Sequence, residues 1–161
     1  MSESSSMAAA GAVGLFAVQL AKLQGAHVIA TASAANIDFV KQLGADEVIN
    51  YRECRFEEVG RVDVIFDTVG GATLERSWNV LGSDGRLVTI AADAESSSDP
   101  RVKEAFFIVE ANGQQLAHMA GLFDSGVLKT FVKAELSLES AARAYAGSVA
   151  GTPGKIVIRA V

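Results

Sequence analysis

The chain has 161 residues, half of them hydrophobic and 20% charged, with a net charge of −5. That balance suits one globular domain with its own core and excludes a disordered chain. An acidic surface repels phosphate backbones, so nucleic acid is not expected as a partner.

A single cysteine, Cys54, leaves no internal disulfide and fits a reducing cytoplasm, the expected location. With His27 and His118 it makes no standard zinc spacing, so no metal is expected. Met1 to Ser6 is polar and lacks the pattern of a signal peptide. Met7 to Leu23 is apolar, but it is too short and too glycine-rich for a membrane span, and no membrane partner is expected.

In chain order, Val13 to Leu23 reads as a helix packed deep against a sheet, ended by Gly25. His27 to Thr31 reads as a buried parallel strand. Asn36 is placed to cap a helix to Leu43, with Ile37, Val40 and Leu43 inward. Glu47 to Asn50 is a short strand, and Arg52 to Gly60 a polar link with room for one helical turn. Val62 to Thr68 is the next buried strand. Gly70 and Gly71 turn into a helix from Ala72 to about Leu81, and Arg86 to Ile90 is a strand again. Ala91 to Pro100 reads as loop and Ala105 to Val109 as a strand. Asn112 and Gln115 form a capping-box pattern for a helix to about Phe123. Ser137 caps a last helix, Leu138 to Val149, and Lys155 to Arg159 closes the chain as a strand. Strands alternating with helices predict an α/β fold with a doubly wound parallel sheet. Met1 to Ser6 is expected to be a polar tail, and residues 7–161 one domain.

Ala8-Ala9-Ala10-Gly11-Ala12-Val13-Gly14 has the spacing A-x-x-G-x-x-G. In a dinucleotide site, small residues let the backbone approach a pyrophosphate. A glycine lets the helix sit close to the sheet, and the helix N-terminus offers N–H groups to the phosphates. Such spacing alone also marks helices that merely pack closely. The long apolar helix and the strand after it favour the nucleotide reading. A strand should run straight into the turn, and MSESSSM is a poor candidate for a sheet centre, so the first strand is expected to be missing.

The run AVGLFAVQLAKLQGAHVIATAS is similar to the cofactor domain of the quinone oxidoreductase branch of the medium-chain dehydrogenase/reductase family. LGADEVINYR, VDVIFDTVGG, ERSW, GRLVTIA, FFIV and GKIVIRAV continue the match in order, from about Ala8 to Val161. The resemblance implies a Rossmann-type fold and a zinc-independent oxidoreductase. Such enzymes move hydride between NADPH and a quinone, enone or related carbonyl compound. Members usually carry a barrel-like catalytic domain before the glycine turn, and this chain is expected to lack it. Relatives often dimerise through the strand that FFIV resembles, so a homodimer is expected.

In an NAD site, an acid at the end of the second strand accepts the ribose 2′-hydroxyl. Here the segment reads Thr31-Ala32-Ser33-Ala34-Ala35-Asn36, without an acid, which permits the 2′-phosphate of NADP(H). Ser33 and Asn36 are candidates to bond that phosphate; ordinary loop and cap chemistry is the alternative. Relatives often have a lysine near Asn36, and its absence implies weaker discrimination. By resemblance Tyr51 touches the 2′-phosphate, with Arg52 as an assisting cation.

The glycine turn contributes Ala10, Gly11, Ala12 and Val13. By resemblance Val69-Gly70 and Ile90-Ala91 pass close to the ribose, and Phe107, Ile108 and Val109 border the nicotinamide. Plain core packing is the alternative for the phenylalanines. Asp67 is expected to hold a turn rather than to react, Cys54 to be inert, and Lys129, Lys133 and Arg143 to be solvated. No residue stands out as a general acid or base. The competing readings are a non-catalytic nucleotide-binding or dimerisation module and, more weakly, a methyltransferase-like domain. The latter would want an acid after the second strand.

Overall fold

The computed structural model describes residues 3–6, 9–147, 149, 151 and 153–160. The chain divides into two compact units, Met1–Gly113 and Gln114–Val161. In the first unit, five strands make one parallel sheet: β1 (Glu3–Ser6), β2 (His27–Ala32), β3 (Glu47–Asn50), β4 (Val62–Asp67) and β5 (Leu81–Thr89). Their spatial order is β3-β2-β1-β4-β5. Between them run helices α1 (Gly14–Leu23), α2 (Ile37–Gln42) and α3 (Gly71–Ser77), and α4 (Pro100–Ala105) follows β5. The fold is therefore α/β with parallel strands of Rossmann type, as expected.

The expectation of a missing first strand and a polar tail is corrected. Glu3–Ser6 is the central strand; Ser4 stands opposite Val28 on one side and Val64 on the other. The expectation weighed side-chain polarity. At a sheet centre, backbone pairing on both edges outweighs that weak propensity. Ala8, the first position of the glycine spacing, lies outside the described residues.

β2 is buried from Val28 to Ala32, which explains its unbroken run of apolar and β-branched residues. The core of this unit gathers Ile29, Phe56, Val62, Ile65, Leu74 and Leu87. α1 stops where expected: Gly25 takes φ 79°, and its N–H reaches the carbonyl of Lys22 at 2.9 Å. Asn36 stands at the N-cap of α2, but its side chain makes no cap bond and donates to Ser33 Oγ at 3.3 Å instead.

Two boundaries move. α3 ends at Ser77, and β5 begins at Leu81 with a bulge, since Leu81 pairs with Val62 and Arg86 with Val64. Gly85 allows this path, because a Cβ there would press on the Leu81 side chain and the Asp63 carbonyl. The strand expected at Ala105 to Val109 does not form. Asp99 caps α4 by accepting from the Arg101 N–H at 2.9 Å, Pro100 opens the helix, and Ala105 is consumed in it. Only Phe106 meets the sheet, through a single parallel bridge to Thr89.

The second unit holds most of α5 (Gly113–Asp124), then β6 (Val132–Ser137), α6 (Ala141–Tyr145) and β7 (Lys155–Arg159). β7, the expected closing strand, pairs in parallel with β6, which the sequence reading missed. The helix expected from Leu138 to Val149 is short. It opens with a 3-10 turn over Leu138–Ser140, ends before Gly147 at φ 66°, and has Ser137 at its start without a side-chain cap bond.

At the amino ends of β2 and β3, Lys22 Nζ sits 2.6 Å from Asp46 Oδ1, and the Val28 N–H donates to Asp46 Oδ2 at 2.8 Å. The bond from Lys22, and next that from Val28, hold the Asp46 carboxyl below the ordinary range. A depressed folded-state pKa stabilises the fold above the unfolded pKa, and that contribution is lost as pH falls through the folded value. The unfolding midpoint of the wild type should therefore exceed that of Asp46→Asn at neutral pH. The gap should close below about pH 4. Parallel pH profiles for the two proteins would contradict this role.

Candidate functional site

The strand order sets the place. From β1 the chain winds outward through β2 and β3, then returns to β1's other side for β4 and β5. At such a reversal, a parallel sheet opens a crevice beyond the carboxyl ends of its strands. The turn after β1, Ser33 after β2, Tyr51 after β3, Val69-Gly70 after β4 and Ile90-Ala91 after β5 all leave the sheet at that edge.

The turn after β1 is anchored by Ala9, fully buried, whose N–H donates to the Thr31 carbonyl at 3.2 Å. The carbonyl of Gly11 accepts from Leu15 N at 3.1 Å, and that of Val13 from Phe16 and Ala17 at 3.0 Å, which starts α1. Ala10 is half-buried, Gly11, Ala12 and Val13 are exposed, and Gly14 is buried. No acidic residue lies in the first turn of α1 and no side chain caps it. The positive end of a ten-residue helix therefore faces solvent through small residues, an arrangement that suits an anion.

On the β2–β3 side, Ala32 pairs with Asn50, and the Tyr51 N–H donates to the Ala32 carbonyl at 3.3 Å. This brings the loop with Ser33 and Asn36 beside that with Tyr51 and Arg52. Tyr51 is 53% exposed, and the Arg52 guanidinium lies 6.0 Å from its ring centre. One hydroxyl, one carboxamide, one phenol and one exposed cation thus share a corner, with no carboxylate in the segment Thr31 to Asn36.

On the β4–β5 side, Asp67 is fully buried and holds its turn, as expected. Its Oδ1 accepts from the N–H groups of Val69 and Gly70, both at 3.2 Å. Its Oδ2 accepts from Gly70 at 3.0 Å and from Thr89 Oγ1 at 2.7 Å. Thr89 Oγ1 in turn accepts from the Ala91 N–H at 3.2 Å. Asp93 Oδ2 accepts from the Gly71 N–H at 2.8 Å.

Sequence reading missed both Thr89 and Asp93. Thr89 left a faint signal, a polar residue inside the apolar run RLVTI; Asp93 left none. Val69 is exposed, Gly70 and Ala91 buried, Ile90 between. Phe106 packs against the core, as the packing alternative expects, whereas Phe107, Ile108 and Val109 follow its bridge and are exposed, Ile108 to 68%. Cys54 and His118 are exposed, and no group of three His, Cys, Asp or Glu among the described residues is placed to hold a metal ion. No helix of the described residues is long and apolar enough to cross a membrane.

Residues 43–158 match the family model for zinc-binding dehydrogenases, and the chain belongs to that family. The chloroplastic quinone-oxidoreductase QR1 of Triphysaria versicolor is 34% identical over 94% of this chain and 50% of its own length. Mouse (Mus musculus) prostaglandin reductase-3 is 42% identical over 52% of this chain and 24% of its own length. The solved structure of the quinone oxidoreductase from Coxiella burnetii superposes with a TM-score of 0.84 at 28% identity, over 99% of this chain and 53% of that one. The family read from the ordered motifs is thus borne out. The chain spans about half the length of the first curated relatives it matches.

Gly70 tests the local geometry. Its φ of 77° and ψ of −164° belong to a region open essentially to glycine alone, and a Cβ would run into Asp93 and Ala91. Gly70→Ala should lower stability in urea by about 1–3 kcal/mol or more. An unchanged midpoint would show that the turn is not held as described.

Proposed function

We propose that this chain is the nucleotide-binding half of an NADP(H)-dependent oxidoreductase acting on quinones or enones. The observation that carries the reading is the open glycine turn at the strand reversal, next to a β2–β3 corner that offers Ser33, Asn36, Tyr51 and Arg52, with no acid from Thr31 to Asn36. The N-terminus of α1, with Ala10 to Val13, would take the pyrophosphate. Ser33, Asn36 and the Tyr51 hydroxyl would bond a 2′-phosphate, and Arg52 would offset its charge. Val69-Gly70 and Ile90-Ala91 would line the ribose, and Phe107 to Val109 would shield one side of the nicotinamide. When bound, the dinucleotide supplies the hydride. What this chain contributes is position and exclusion of water, which is a large part of hydride-transfer catalysis.

The relatives named as quinone oxidoreductase and prostaglandin reductase support the substrate class. A homodimer built through the exposed residues after Phe106 is part of the proposal, as is a reducing, cytoplasmic setting for the exposed Cys54. The second reading is a module that binds nucleotide, or only dimerises, without turnover.

Fluorescence titration decides between the cofactors. NADPH should bind more tightly than NADH. Arg52→Ala should weaken NADPH about fivefold, the scale of one exposed charge pair, and leave NADH nearly unchanged. Absence of binding by both nucleotides would overturn the proposal. Turnover of quinones or short enones would favour the oxidoreductase, and binding without turnover the second reading.

A further inference from the structure

The two sides of the crevice are built differently. On the β2–β3 side, exposed side chains stand ready to meet a ligand. On the β4–β5 side the ligand-facing loops contribute mainly backbone, and their spacing is set from beneath by one buried pair. Asp67 grips the loop after β4 through the N–H groups of Val69 and Gly70, at 3.0 to 3.2 Å. Thr89 bridges to Asp67 at 2.7 Å and grips the loop after β5 through Ala91 at 3.2 Å. The Ile90 N–H donates to the Asp67 carbonyl at 3.1 Å and closes the link. Asp67 and Thr89 are both fully buried, so water does not compete for these bonds.

We propose that the Asp67–Thr89 pair is a positioning element that fixes the nicotinamide half of the site independently of the adenosine half. The inference rests on the nucleotide reading above. A dinucleotide lying across the reversal puts its adenosine on the β2–β3 side and its pyrophosphate on the turn after β1. Its remaining half then crosses to β4 and β5. Only that half meets the two loops that the pair holds together. The carboxylate suits the task because it only accepts, and every group aimed at it donates. The threonine hydroxyl suits it because it donates to Asp67 and accepts from Ala91 at once. Thr89→Val keeps the shape but removes the acceptor of the Ala91 N–H and one of the two donors to Asp67 Oδ2. Thr89→Ser keeps the hydroxyl.

The test compares two probes, NADPH and adenosine 2′,5′-bisphosphate, on the wild type, Thr89→Val and Thr89→Ser. Thr89→Val should bind NADPH about tenfold more weakly, the scale of one hydrogen bond to a charged group. It should bind the bisphosphate as the wild type does, and Thr89→Ser should restore NADPH binding. An equal loss for both probes, or no loss for either, would overturn the proposal. If Thr89→Val does not fold, amide hydrogen exchange of the wild type serves instead. NADPH should slow exchange at Gly70 and Ala91 while the bisphosphate does not, and equal slowing by both would overturn the proposal. A wild type that binds the bisphosphate but shows no gain from the nicotinamide half sinks this inference alone. A wild type that binds neither probe sinks the nucleotide reading and this inference with it.

Discussion

Two rows of backbone hydrogen bonds to a four-residue strand join the halves of the sheet. Glu3–Ser6 lies between β2 and β4, in register with His27 to Ala30 on one side and Val64 to Phe66 on the other. Without those bonds β2 and β4 would each present an unpaired edge in the interior. Every buried group left without a partner costs about 1–3 kcal/mol. The same strand places the site. Because β1 is central, the chain leaves it one way toward β2 and β3 and returns the other way toward β4 and β5. The turn that begins the first path therefore faces the loop that follows β4.

The two ends of this sheet are chemically opposed. At the amino ends, polar side chains bind one another: Lys22 holds Asp46, and the His27 ring lies 3.0 Å from Glu47. At the carboxyl ends of β4 and β5 the loops present mainly backbone, and the Asp67 carboxylate is turned inward and satisfied by four donations. A dinucleotide phosphate would meet helix N–H groups and Arg52 there rather than a fixed negative side chain from β4. Asp93 stands near this edge, but its carboxylate is engaged by the Gly71 N–H. Ion pairing thus serves stability at one end, and at the other the Asp67 carboxylate is kept off the binding surface.

Elements with strong periodic or apolar runs were legible in the sequence. β2, β3, β4, α1 and β7 fall within a residue or two of their expected bounds, because burial of Val28 to Ala32 or of Leu15 and Val18 leaves a pattern. β1 was not legible, because its place is set by pairing on both edges and not by its residues. Ala105 to Val109 looked like a strand, but Asp99 and Pro100 start a helix that takes Ala105, and a run of apolar residues alone does not tell exposure from burial. β6 was missed because VKAELS mixes charges and apolar residues in a half-exposed strand. Of the site, the glycine turn and the missing acid after β2 were readable. Asp67 was read correctly as a turn holder. Its bond to Thr89 joins residues 22 positions apart, and no local pattern reports that.

The most direct measurement is a two-dimensional amide spectrum of the isotope-labelled chain, recorded as NADPH is added. A dinucleotide crevice at the reversal of strand order requires shifts at Gly11 to Val13, Ser33, Val69-Gly70 and Ile90-Ala91, four segments that meet only at the carboxyl edge of the sheet. Shifts confined to the opposite edge, around Lys22, Asp46 and Gly85, or no shifts at saturating nucleotide, would contradict it.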